Sequence, residues 1–183
     1  LELLKVLFTQ DTKKEELMPN NLNTIYGKSN FSFLSTPDEA FGKKEYSVTL
    51  ECSKEKAQEH IGAIEKIRSK EIAEEHKTHP STEQLKRASL PYKVNGDLVK
   101  LQIQRNSKPK RWDKIQKELS PDVYVWKTST MWVSYEARGY NKSIGIGCTL
   151  YMSGVQIDTL VQGTGSGNGA CPFPKREKEG VTA

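Results

Sequence analysis

Cysteine is scarce in this sequence and scattered: Cys52, Cys148 and Cys171 are odd in number and far apart, with no CxxC pair and no histidine at metal-ligand spacing. That excludes a disulfide framework and a zinc knuckle, and it points to reducing surroundings. Long apolar runs are missing too. The longest, Val123-Tyr-Val-Trp and Ile144-Gly-Ile-Gly-Cys-Thr-Leu-Tyr-Met, stop far short of the roughly 18 residues that a membrane span needs. No charged-then-apolar leader opens the chain, so the expectation is a soluble, unsecreted protein with no membrane partner. Catalytic signatures are absent as well: no GxSxG elbow, no P-loop, no HExxH and no spaced acidic cluster for magnesium. The one glycine-rich string, Gly163 to Gly169, is not followed by a helical pattern, and without a helix N-terminus it lacks a phosphate cradle. His76 and His79 stand three apart with no third ligand near them, which reads as a frayed helix end. Neither an enzyme nor a cofactor or metal is expected.

What is present suffices for one domain. A chain of 183 residues that is 35% hydrophobic can build one real core. The expected division is a folded domain over residues 1–162 and a flexible tail over 163–183, where Gly-Thr-Gly-Ser-Gly-Asn-Gly-Ala precedes Cys-Pro-Phe-Pro and a mixed-charge run. Leu3 to Phe8 reads as a short apolar strand. Thr9 to Lys28 reads as a polar stretch with a turn at Met18 to Asn21, and Phe31 to Leu34 as a second short strand. Glu45 to Glu51 alternates with a period of two, placing Tyr46, Val48 and Leu50 on one face. From Lys54 to His76, Ala57, Ile61, Ile64 and Ile67 recur at helical steps behind the cap Ser53, giving an amphipathic helix that Pro80 ends.

Ser81 to Asp97 reads as loop, with a short helix at Thr82 to Ala88 and a turn at Asn95-Gly-Asp. Leu98 to Arg105 alternates again, with Val99, Leu101 and Ile103 opposite Lys100, Gln102 and Gln104. Further strands are expected from Val123 and over Ile144 to Met152, after which Gly154 flips the apolar parity to Val155 and Ile157, as a bulge does. Five or six short strands with one inserted helix and glycine-marked bends describe a mainly β Greek-key barrel.

Charge is unevenly placed. The chain carries a net +5, yet between Lys100 and Lys117 stand seven basic residues (Lys100, Arg105, Lys108, Lys110, Arg111, Lys114, Lys117) against one acid, Asp113. A lysine-rich solvated loop would look like this, and so would a polyanion site. All three tryptophans, Trp112, Trp126 and Trp132, fall within or just after that segment, with Tyr124, Tyr135 and Tyr140. Single-stranded nucleic acid requires this mixture, cations for phosphates and flat rings for exposed bases. In Ser129 to Tyr135 the apolar face is Met131, Val133 and Tyr135, which turns Trp132 outward as a stacking platform, with Arg138 and Lys142 beside it.

In their order, Lys5-Val-Leu-Phe-Thr, Thr36-Pro-Asp with Phe41-Gly, Tyr46-Ser-Val-Thr-Leu before a charged helix, Asn95-Gly-Asp, Ser129-Thr-Met-Trp-Val-Ser-Tyr and the run from Ile146 to Ile157 resemble the single-stranded-DNA-binding proteins of podovirus-like bacteriophages. The resemblance covers about Lys5 to Val161. It implies an OB-fold with a helix packed on the barrel, sequence-independent binding of single strands in phage DNA replication or recombination, and residence in the cytoplasm of the infected host. Tyr140 falls where the family places a stacking tyrosine, and Lys100, Gln102 and Gln104 on its DNA-contacting strand.

The resemblance further implies a homodimer and recruitment of replication proteins, polymerase and helicase-primase, through an acidic tail. Here Lys175-Arg-Glu-Lys-Glu179 is nearly charge-balanced, and Thr130, Trp132 and Ser134 stand where the family carries lysines. The expected interface therefore has Lys100, Arg105, Lys108, Lys110, Arg111 and Arg138 on phosphates and Trp132 and Tyr140 under bases. Gln102, Lys142, Trp112 and Trp126 complete it. The competing readings are a protein–protein adaptor or virion component, and an RNA-binding OB protein.

Overall fold

The computed structural model describes residues 23–39, 42–79 and 85–162. Seven strands and one helix follow in the order β1 (Asn23–Ser32), β2 (Tyr46–Ser53), α1 (Lys54–Thr78), β3 (Tyr92–Asn95), β4 (Leu98–Arg105), β5 (Lys110–Trp112), β6 (Thr130–Lys142) and β7 (Gly145–Thr159). They form one sheet, β3-β4-β2-β1-β6-β7-β5, which closes on itself where Gln104 of β4 pairs in parallel with Tyr151 of β7. The closed part is a five-stranded barrel of β1, β2, β4, β7 and β6, with β3 and β5 as additions. Closure leaves the barrel strands no free edge.

Alternation dictates which side chains fill the barrel. Val48, Leu50 and Cys52 of β2, Val99, Leu101 and Ile103 of β4, and Met131, Val133 and Tyr135 of β6 all point inward and are buried. On β7, Ile146, Cys148, Leu150 and Met152 point inward, then Val155 and Ile157. The parity flips at Ser153, skipped between the pairs Tyr135↔Met152 and Ser134↔Gly154. This is the bulge expected at Gly154, and it bends β7 around the barrel. Helix α1 starts at its cap, where Ser53 Oγ accepts from the Lys56 amide at 3.4 Å. It touches all five barrel strands and adds Ala57 and Ile64 to the core. His60 Nδ1 lies 2.6 Å from the Tyr135 hydroxyl, joining helix to barrel.

Three expectations are corrected. Of the polar stretch expected over Thr9 to Lys28, residues 23–28 are strand, while the turn at Met18 to Asn21 is outside the described residues. β1 runs from Asn23 to Ser32, so Phe31 and Ser32 of the expected separate strand are its end and Phe33 and Leu34 lie beyond it. Its inward residues are Ile25, Gly27 and Ser29, so only one is apolar and the alternation is invisible. Gly27 is small because a Cβ there would meet the Glu51 carbonyl oxygen at 2.9 Å. Val123 to Trp126 is loop. Its amides bond irregularly, Trp126 N–H to Val161 O at 3.2 Å and Thr128 N–H to Ser29 O at 2.7 Å, and only Val125 reaches the core. Of the helix expected at Thr82 to Ala88, residues 85–88 are extended, with Arg87 bridged in parallel to Ile146. The strand expected at Leu3 to Phe8 and the tail at 163–183 lie outside the described residues. Among the described residues no helix is long and apolar enough to cross a membrane.

Candidate nucleic-acid interface

Register, not sequence proximity, decides which outward side chains become neighbours. On the outer face of β2 and β4, Ser47 stands beside Gln104, Thr49 beside Gln102 and Glu51 beside Lys100. This floor is short, polar and mostly uncharged. The exceptions are Lys100 and Glu51, with Lys100 Nζ 3.7 Å from the Glu51 carboxylate. Amides and hydroxyls can donate and accept without favouring one base.

Aromatic residues rise at both margins of that floor. On one side Phe31 pairs with Thr49 and is 64% exposed, and Phe33, 39% exposed, donates its amide to Ser47 O at 2.8 Å. On the other side Tyr151 pairs with Gln104, and the outward residues of β6 beyond it are Glu136, Arg138 and Tyr140. The Arg138 guanidinium lies 5.4 Å from the Tyr151 ring and 2.7 Å from a Glu136 oxygen. Lys142 Nζ lies 5.4 Å from the Tyr140 ring. Tyr140 lies over Gly147, where an added Cβ would stand 2.5 Å from its hydroxyl oxygen. A cleft of about 260 Å³ opens here, lined by Leu90, Pro91, Gln102, Gln104, Tyr140 and Tyr151 among others.

The hairpin carrying Tyr140 is held in place locally. Gly145 adopts φ +123°, open to glycine but strained for other residues. Ile146 N–H donates to Lys86 O at 2.8 Å and Ala88 N–H to Ile146 O at 3.0 Å. The inner side of the hairpin rests on α1, where Asn141 donates to Glu75. Burial raises the Tyr140 phenol above its ordinary range, so it is a neutral ring at physiological pH. Burial also pushes the Cys148 thiol up to about 11 and raises Cys52, which leaves both as inert thiols rather than nucleophiles. His79, at the end of α1, has Nδ1 3.0 Å from a Glu75 carboxylate oxygen. Among the described residues no three metal-ligating side chains converge.

A second aromatic group lies farther along the same strands. The pairs Tyr26↔Trp132, Trp132↔Gln156 and Gln156↔Trp112 set these four residues in one outward row across β1, β6, β7 and β5. Tyr26 and Trp132 have ring centroids 5.1 Å apart at 52°. Trp112 covers Gly154, where a Cβ would meet its ring at 2.7 Å. Lys110 pairs with Gly154, and Lys56 Nζ lies 5.6 Å from the Tyr26 ring.

The expected site residues thus fall into separate places. Gln102, Arg138, Tyr140 and Lys142 gather around the cleft, with Lys100 next along β4. Lys110, Trp112 and Trp132 belong to the second row. Arg105 stands between the two, its Nη1 donating to Ser153 O at 3.3 Å. Lys108 donates to Pro121 O at 3.4 Å, and Trp126, 41% exposed, sits in the loop off the sheet.

Arg111 is a correction. It is 3% exposed, and its guanidinium donates to Ser35 Oγ at 2.7 Å and to the carbonyls of Val123, Ser120 and Pro121 at 2.6, 3.1 and 3.2 Å. It faces the interior because Lys110 and Trp112 on the same short strand face outward. Sequence reasoning missed Tyr26, Phe31, Phe33 and Tyr151. Tyr151 was open to a parity argument on β7; the others needed β1 to be recognised first.

No protein-family model matches the chain, and no curated protein matches it in sequence. Solved structures do. The crystal structure of gp2.5, a single-stranded DNA binding protein encoded by bacteriophage T7, superposes with a TM-score of 0.68 at 17% identity, covering 80% of this chain and 96% of that one. The single-stranded DNA-binding protein from bacteriophage Enc34, in complex with single-stranded DNA, gives a TM-score of 0.57 at 18% identity, covering 80% and 91%. The fold of this chain is therefore the OB-fold that these phage proteins share, a closed five-stranded barrel with two added strands and one helix.

Proposed function

We propose that this chain binds single-stranded DNA with little sequence preference, as a non-catalytic protein of phage DNA replication or recombination in the host cytoplasm. The observation that carries the reading is the cleft on the outer face of the barrel. A neutral floor of Gln102, Gln104, Thr49 and Ser47 runs between Phe31 and Phe33 on one side and Tyr151 and Tyr140 on the other. Bases stack on the rings, and Lys100, Arg105, Arg138 and Lys142 meet the phosphates around them. Arg138 and Lys100 each hold a carboxylate that a phosphate would replace. DNA is preferred over RNA in this reading because a structural neighbour is solved with single-stranded DNA.

The test is fluorescence anisotropy of a labelled unstructured oligodeoxynucleotide, competed with duplex DNA and with RNA of the same sequence. Single-stranded DNA is expected to compete best. If about four phosphates are neutralised, a fourfold rise in salt weakens binding by roughly fifty-fold, at a slope of about −0.7 per phosphate. Salt-insensitive binding, equal competition by duplex, or preference for RNA overturns the proposal. Absence of any nucleic-acid binding returns the molecule to the class of protein–protein adaptors.

A further inference from the structure

We infer that the row Trp112–Trp132–Tyr26 is a second stacking subsite for the same single strand, continuous with the cleft, so that bound DNA leaves the cleft past Arg105 and ends on the tryptophans. The inference rests on the single-strand reading above and extends it to a part of the barrel that the cleft does not reach.

Continuity is the first argument. Tyr140, Arg138, Glu136, Ser134 and Trp132 are alternate residues of β6 and share its outward face, beside Gly147, Thr149, Tyr151, Gly154 and Gln156 of β7. From Tyr140 to Trp132 is eight residues, about 26 Å of strand at roughly 3.3 Å each. That is a length for several nucleotides, within the range of about 4–16 that one OB barrel holds. Between the two aromatic groups stands the pair Ser134↔Gly154, where a small side chain adjoins the Trp112 ring. Two cations flank this pair, Arg105 through its bond to Ser153 O and Lys110 through its pairing with Gly154. A strand crossing there meets positive charge on the way.

The chemistry of the row is the second argument. Trp132 is 46% exposed on a strand whose opposite face already supplies the core, so its ring is surplus to folding. Tyr26 braces it at a tilt, and the Trp112 ring lies with one edge against Gly154. Beyond the row Asp158 accepts from the Tyr26 hydroxyl at 3.0 Å and from Thr130 at 3.4 Å, beside the exposed Lys28 that pairs with Thr130.

The experiment measures affinity of the full chain for labelled oligodeoxynucleotides of about 5 and about 20 nucleotides at one salt concentration. Wild type gains affinity with length. In Trp132→Ala that gain is expected to fall by about ten-fold or more, with loss of most of the tryptophan quenching by the long oligonucleotide. Ser134→Glu, which puts a negative charge on the path while leaving every ring in place, is expected to shrink the gain likewise. Thermal unfolding of each variant separates a local effect from misfolding. If both variants keep the wild-type gain while Tyr140→Ala weakens both lengths, the second subsite is wrong and the cleft stands. If wild type binds neither oligonucleotide, the single-strand reading itself fails.

Discussion

The cleft and the tryptophan row share strands β6 and β7 and differ in how they combine charge with aromatic surface. In the cleft, rings stand apart across a polar floor, and cations lie against them: Arg138 by Tyr151, Lys142 by Tyr140. In the row Tyr26 and Trp132 adjoin, Trp112 stands across Gln156, and cations stay at the margins. The first arrangement grips phosphate and base together, whereas the second offers stacking with little electrostatic pull. Under the proposed function a single strand gains most of its salt-dependent affinity from the first and its length dependence from the second.

Removing Arg111 damages both regions, because its guanidinium ties β5, which bears Trp112, to Ser35 just after Phe33 and to the loop carbonyls of residues 120–123. Arg111→Met leaves those part-buried hydrogen bonds unmade and is expected to cost about 1–3 kcal/mol of stability by urea denaturation. A neutral result would mean that water or another donor replaces the guanidinium.

Tyr140→Ala strikes the cleft alone and should weaken binding about ten-fold at every oligonucleotide length. Gly147→Ala is a sharper version of the same test. It keeps the ring but forces it off its seat, so affinity should fall while the unfolding midpoint hardly moves. If affinity holds in Gly147→Ala, the placement of Tyr140 does not matter and the cleft is misassigned.

The smallest effect belongs to neither region. Burial holds His60 below the usual imidazole range, at its contact with Tyr135. A depressed folded value means that the unfolded chain takes up the proton first. The stability contributed by this site is therefore whole above about pH 6.5 and is lost as pH falls from there through the folded value. His60→Gln should flatten that part of the curve of melting temperature against pH, without changing DNA affinity at neutral pH.

Much of this was legible from periodicity. The helix and its cap at Ser53, the inward residues of β2, β4 and β6, the outward turn of Trp132 and the bulge before Gly154 all follow from alternation over strongly apolar positions. β1 was not legible, since glycine and serine occupy its inward sites where β2 passes close. With β1 hidden, Tyr26, Phe31 and Phe33 had no face to belong to. Arg111 was misjudged for a related reason: in a basic segment every cation looks alike until a strand of three residues fixes which way each one points.

By itself the sequence determined the class of the molecule: a β barrel with one packed helix, a cationic and aromatic middle and no catalytic signature. Those properties are local, set by side-chain type and by the period of the backbone. Only the tertiary structure decided the company each ring and cation keeps. Neighbours across a closed sheet are fixed by register, and register arises from contacts between strands that lie far apart in the chain. Tyr151 faces Gln104 and Trp132 faces Tyr26 for that reason, and nothing in the spacing of those residues along the chain announces it.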